Sequence, residues 1–190
     1  MKFILASQSP RRKELLELAD IPFEVIPSNL EEILNPDLSP EDQVKELALL
    51  KATDLSQQYP EHYIIGADTI VVLDNRILGK PVDEDDAINT LKSLRGKKHQ
   101  VMTAVGLVCT VEKIREVFVN ITDVTFYHMS DEWIEDYVAS GVPMDKAGAY
   151  GIQDAGFELV QQIHGDYYSV MGLPIAQLKQ KIAQLELEKR

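Results

Sequence analysis

One cysteine in 190 residues, Cys109, leaves the chain without an internal disulfide, a usage that suits a reducing compartment. Long apolar runs are missing too. No stretch approaches the roughly 18 residues of a membrane span, and the opening Met1-Lys2-Phe3-Ile4-Leu5 meets polar Ser7-Gln8-Ser9 too soon for a secretory signal core. The expected location is therefore the cytoplasm. Positive charge is scarce: 19 Lys and Arg face 31 Asp and Glu, a net charge of -12. That balance argues against binding long nucleic acid or an anionic membrane through the overall field, so any polyanion must be held locally. His62, His99, His128 and His164 lack the spacing of a zinc site. Gly148, Gly151 and Gly156 do not form a P-loop, and no dinucleotide-binding glycine fingerprint occurs. Internal repeats, low-complexity tracts and Pro/Ser-rich linkers are absent.

What is present is a globular composition, 45% apolar and 26% charged. At this length folding buries roughly 70% of the unfolded surface, enough for a core without metal or disulfide staples. The chain reads as one domain over 1–190 with a mixed α/β architecture. Phe3 to Ala6 suggests a short buried strand, and Ser9 with Pro10 marks the start of a helix. Phe23 to Ile26 is a second strand. Ser39, Pro40 and Asp42 open a helix that runs to about Gln57. Tyr63 to Leu73 is the most apolar stretch, and its β-branched content predicts a central strand. Asp74-Asn75 is a turn candidate. Asp83 caps a helix to about Leu94, ended by Gly96. Two long strands, His99 to Val111 and Val117 to Tyr127, precede a helix from Asp131 to Ala139. The remainder reads as a Gly-punctuated loop, a strand from Phe157 to Ile163, a loop through Tyr168, and a closing helix from Pro174.

Two features point to chemistry. Arg11-Arg12-Lys13 occupies the first turn of a helix, where positive charge opposes the macrodipole unless an anion sits there. Free N–H groups, the Ser7 and Ser9 hydroxyls and two guanidiniums would make a phosphate cradle; a solvated basic helix start is the plainer alternative. Asp68 lies inside the apolar strand, where an ionised carboxylate needs a partner, a hydrogen bond or a metal. A metal ligand or general base is the favoured reading over a helix-capping acid. Glu31-Glu32 offers carboxylates to a hard cation such as Mg²⁺, although paired acids on a loop are most often solvated. Lys51 and Lys80 are weaker signals, since a Lys on an amphipathic helix usually carries its ammonium to water. Cys109 reads as a packed core thiol, and Trp133 with Tyr137 as core aromatics.

Six ordered motifs resemble those of the Maf family of nucleoside triphosphate pyrophosphatases, historically labelled septum-formation inhibitors. They are residues 5–16 (LASQSPRRKELL), 66–71 (GADTIV), 79–81 (GKP), 99–105 (HQVMTAV), 145–153 (DKAGAYGIQ) and 165–174 (GDYYSVMGLP). The resemblance covers nearly the whole chain. It implies a Maf/inosine-triphosphatase-like α/β fold, a mixed twisted sheet flanked by helices with a cleft between two lobes, often a homodimer. The implied activity is metal-dependent hydrolysis of a nucleoside triphosphate between the α and β phosphates. Asp68 matches the family's proton acceptor. Arg11, Thr69 and Gln153 match positions associated with a preference for dTTP and UTP. Ser7, Arg12, Glu32, Lys51 and Lys80 match other polar positions of the substrate site. On this reading Glu32 and Asp68 hold Mg²⁺ or Mn²⁺. A departure follows Gln153, where members often carry Gly and this chain carries Asp154-Ala155-Gly156. Alternatives are a pyrophosphatase for 7-methyl-GTP or other noncanonical nucleotides, and a nucleotide-binding regulator of cell division without turnover.

Overall fold

The computed structural model describes residues 1–188, side chains at 156 and 157 excepted. Seven strands form one mixed sheet in the order β2-β1-β3-β5-β6-β7, with β4 beside β3. The chain divides into two compact units, residues 1–68, 103–120 and 172–190 in the first and 69–102 and 121–171 in the second.

In the first unit, β1 (Phe3–Leu5) runs parallel to both β2 (Phe23–Val25) and the start of β3 (Tyr63–Leu73). All three β1 residues are buried, as an apolar strand covered on both faces requires. Helix α1 (Pro10–Leu18) starts as its sequence dictates, with the Ser9 hydroxyl accepting from the Arg12 N–H and Pro10 at the first position. Helix α2 (Pro40–Gln58) repeats the device with Ser39 and Asp42. Its buried face, Val44, Leu47, Ala48, Ala52 and Leu55, lies toward the sheet. Two glycines let it approach closely. A Cβ on Gly66 of β3 would lie 2.3 Å from the Ala48 carbonyl oxygen and 2.7 Å from the Ala52 nitrogen, and one on Gly106 would lie 2.9 Å from the same carbonyl. The C-terminal helix α7 (Ile175–Glu188) completes this unit, burying Ile175, Leu178, Ile182 and Leu185.

In the second unit the end of β3 turns at Asp74-Asn75 into β4 (Arg76–Leu78), both turn residues having positive φ, as a two-residue hairpin turn demands. Helices α3 (Glu84–Leu94) and α4 (Asp131–Ala139) are capped by Asp83 and Ser130. They pack with Val71, Val101, Val124, Phe126 and Tyr150 into one apolar cluster. Each fully buried Leu or Ile there contributes about 1.5–3 kcal/mol. Strands β5 (Lys98–Cys109) and β6 (Ile114–Phe126) contribute residues to both units.

The elements follow the expected order, with two corrections. The expected strand from Phe157 is instead the end of helix α5 (Ile152–Leu159), and strand β7 spans Val160–His164, antiparallel to β6. Ile152, Ala155 and Leu159 are buried at helical spacing, a pattern hidden by the neighbouring glycines. The loop expected at Tyr167-Tyr168 is the first turn of the short helix α6 (Tyr167–Met171). Cys109 is a fully buried core thiol, as its neighbours implied.

Candidate functional site

Asp68 ends the first segment of the first unit, two positions after the Gly66 contact that seats α2 on β3. Lys51 lies on α2 between Ala48 and Ala52, the residues that meet Gly66. The close approach therefore delivers Lys51 to Asp68, with Nζ donating to Oδ1 at 2.7 Å. The same ammonium is 2.7 Å from Glu32 Oε1. The side chains of Lys51 and Asp68 are 13% and 9% exposed, whereas that of Glu32 is 50% exposed. Lys51 is thus not the solvated surface lysine that its helical position suggested. It is a partly desolvated cation joining two carboxylates.

Glu32 rides on the connection between β2 and α2, which side chains tie down at both ends. Ser28 Oγ donates to Asp54 at 2.9 Å, and the Asn35 N–H donates to Gln43 Oε1 at 2.6 Å. The neighbouring Glu31 is exposed, as a loop acid usually is.

The basic start of α1 faces the same pair of acids. The Arg12 guanidinium donates to the Gly172 carbonyl at 2.8 Å and to the Ser7 hydroxyl at 3.3 Å. Ser7, which is buried, also accepts from the Ser9 N–H at 3.1 Å. Desolvation holds the Arg12 pKa below the usual guanidinium value; Asp68 pulls it back up, Arg11 lowers it further, and Glu32 raises it. Arg12 is therefore a directed, desolvated cation in the field of Asp68 and Glu32. Arg11, like Arg12, is half-buried by residue exposure. The first unit thus gathers Ser7, Arg12, Glu32, Lys51 and Asp68 from four segments remote in sequence.

The donor set bears on a metal. Glu32 and Asp68 present hard carboxylate oxygens, already gathered around a single cation position by Lys51, and one or two carboxylates plus phosphate oxygens are what Mg²⁺ takes. Among the described residues no group of three or more His, Cys, Asp and Glu side chains forms a metal site. The pair therefore fits a cation whose remaining ligands come from substrate and water.

Thr69, Lys80 and Gln153 belong to the second unit; Lys80 and Gln153 are exposed and Thr69 is half-buried. The extra acid after Gln153 is not a bare charge. Asp154 Oδ2 lies 3.4 Å from Lys146 Nζ, which also bonds Asp145 and the Val142 carbonyl.

Sequence reasoning passed over His99, which lacks metal-ligand neighbours. It is 2% exposed, bonds the Tyr150 hydroxyl through Nε2 at 2.8 Å and stacks edge-on against Phe126. It lines a cavity of about 230 Å³ with Val72, Lys98, Gln100, Met102 and Asp123. Its sequence signal was its place at the head of the motif 99–105, which gave it no role of its own.

Residues 2–185 match the family described as Maf-like protein. The dTTP/UTP pyrophosphatase of Bacillus cereus (strain B4264) is 49% identical over 187 residues, covering 98% of this chain and 97% of the relative. The dTTP/UTP pyrophosphatase of Bacillus mycoides (strain KBAB4) is 50% identical over 185 residues, covering 97% and 96%. Among solved structures, a HAM1 protein from Coxiella burnetii aligns over 97% of this chain and 99% of its own, with a TM-score of 0.55 and 14% identity. That last likeness concerns the fold alone.

Proposed function

The chain belongs to the Maf-like protein family, and from that premise we propose that it is a nucleoside triphosphate pyrophosphatase, hydrolysing dTTP and UTP to the monophosphate and pyrophosphate. The observation that carries the reading is Asp68: a nearly buried carboxylate in the middle of the apolar strand β3, held by Lys51 and within the field of Arg12. Asp68 orients a water against the α-phosphorus and accepts its proton as the bond to the bridging oxygen breaks. Pyrophosphate leaves carrying the bond electrons. Arg12 and Lys51, with Arg11 and Lys80, bind the triphosphate oxygens and stabilise the charge that develops on the leaving group. Ser7 holds Arg12 in place and supplies a hydroxyl beside it.

Glu32 and Asp68 would hold a divalent cation, Mg²⁺ or Mn²⁺, which supplies charge neutralisation on the triphosphate and polarisation of the phosphorus. Thr69 and Gln153 select the pyrimidine through hydroxyl and amide contacts, since buried hydrogen bonding discriminates bases more sharply than apolar fit. The names of the relatives at 49–50% identity support the same substrates. In this reading the protein works as a cytoplasmic homodimer.

Purified protein with Mg²⁺ is expected to release pyrophosphate, not orthophosphate, from dTTP and UTP. Asp68→Asn should lose about 10²–10⁴-fold in kcat while keeping its circular dichroism spectrum, because Lys51 retains Glu32. Orthophosphate as first product, or full turnover in Asp68→Asn, overturns the assignment.

A further inference from the structure

Lys51 stands where a cation between Glu32 and Asp68 would be placed. Its ammonium is 2.7 Å from an oxygen of each carboxylate, and its side chain is 13% exposed on a helix where lysines ordinarily reach water. The seat is built rather than incidental. Gly66 admits α2 so closely that Lys51 is held over the sheet, and the Glu32 loop is tied at Ser28 and Asn35. With Lys51 cancelling one carboxylate and Arg12 acting on both, the cluster is close to neutral. A free divalent ion gains little there, because the carboxylate oxygens it needs are already bonded and a fixed positive charge stands beside them.

We propose that Lys51 is a tethered surrogate cation. It keeps Glu32 and Asp68 converged in the nucleotide-free protein, and a divalent metal must displace its ammonium to reach them. Metal is then admitted with the nucleotide, whose phosphate oxygens complete its ligands and receive the displaced lysine. This rests on the pyrophosphatase reading for the nucleotide, but the competition between ammonium and metal stands on the three side chains alone.

The test measures Mn²⁺ binding without nucleotide, by calorimetry and by the electron paramagnetic resonance signal of free Mn²⁺. Wild type should bind weakly. Lys51→Met should bind at least tenfold more tightly, Lys51→Arg should stay near wild type because it keeps the charge, and Glu32→Gln/Lys51→Met should lose the gain. Equal or weaker binding by folded Lys51→Met, or the same gain in Lys51→Arg or in the double variant, overturns the proposal. Should Lys51→Met not fold, the wild-type lysine ammonium resonances decide. In protein saturated with an α,β-methylene analogue of dTTP, adding Mg²⁺ must shift the Lys51 signal, and an unmoved signal is equally fatal. None of these readouts is turnover. Tighter Mn²⁺ binding by Lys51→Met, together with a wild-type protein that releases no pyrophosphate, would leave this inference standing and remove the function; pyrophosphate release by wild type with no gain in Mn²⁺ binding by Lys51→Met would do the opposite.

Discussion

His99 opens the motif 99–105, yet its charge behaviour follows from burial rather than from sequence. Desolvation lowers its pKa from 6.5 to about 4, against weaker raising contributions from the Lys97 backbone and the Asp123 carboxylate. The folded protein therefore keeps the ring neutral while the unfolded chain protonates it near 6.5. Between these values the unfolded state binds more protons, so stability rises with pH: the contribution is complete above about pH 6.5 and disappears as pH falls toward 4. The shift corresponds to about 3 kcal/mol at most. Urea unfolding at several pH values should show wild type losing up to that much more than His99→Gln across the window; parallel pH profiles would refute the attribution. Individual residues were unevenly legible. Asp68 announced itself because an acid inside an apolar strand is costly, and its partner proved to be Lys51. Lys51 did not, because its sequence context is that of any exposed helical lysine and its burial comes from a strand remote in sequence. Arg11 and Arg12 look alike in sequence, yet only Arg12 is bonded to Ser7 and Gly172.

At the scale of elements, the α2–β3 contact sets the geometry of the acid and its lysine. Gly66 and Gly106 give α2 a backbone-level seat, and Lys51 and Asp68 lie within three residues of that contact. A methyl at 66 would meet the Ala48 carbonyl at 2.3 Å, which the backbone must relieve by moving apart. Gly66→Ala should therefore cost about 1–3 kcal/mol, read as a lower urea midpoint. It should also lower kcat/KM for dTTP beyond the loss of folded protein, because the Lys51–Asp68 distance lengthens. A wild-type midpoint would show that the seat has slack. The helices and the central strand were readable since capping residues and periodicity are local: Ser9, Ser39 and Asp83 each cap a helix as expected. Helix α5 was not, because Gly151 and Gly156 read as loop punctuation while Ile152, Ala155 and Leu159 decide the segment by burial. Strand order was likewise out of reach, since β1 pairs with a strand some sixty residues away and no local pattern encodes that register.

For the whole molecule, charge is the governing quantity. Both units carry more acids than bases, so the net charge of -12 is spread across the chain while Arg12 and Lys51 are concentrated at the acid pair. That distribution was half legible. The sum was plain from composition, but the local compensation of the acid pair depended on which basic residues the fold brings together. The two scales respond oppositely to salt. Self-repulsion among the excess acids destabilises the compact state at low ionic strength, and exposed ion pairs such as Lys13–Glu17 contribute too little to offset it. Moving from about 0.01 to about 0.15 M NaCl shortens the screening length from about 30 to about 8 Å. The melting temperature should therefore rise over that range, while KM for the triphosphate should rise with it as the attraction of Arg12, Lys51 and neighbouring cations for the phosphates is screened. Titrating NaCl at fixed free Mg²⁺ separates the two effects. A melting temperature that falls would mean that surface ion pairs outweigh the net repulsion, and a KM indifferent to salt would mean that the nucleotide is not held by Arg12, Lys51 and their neighbours.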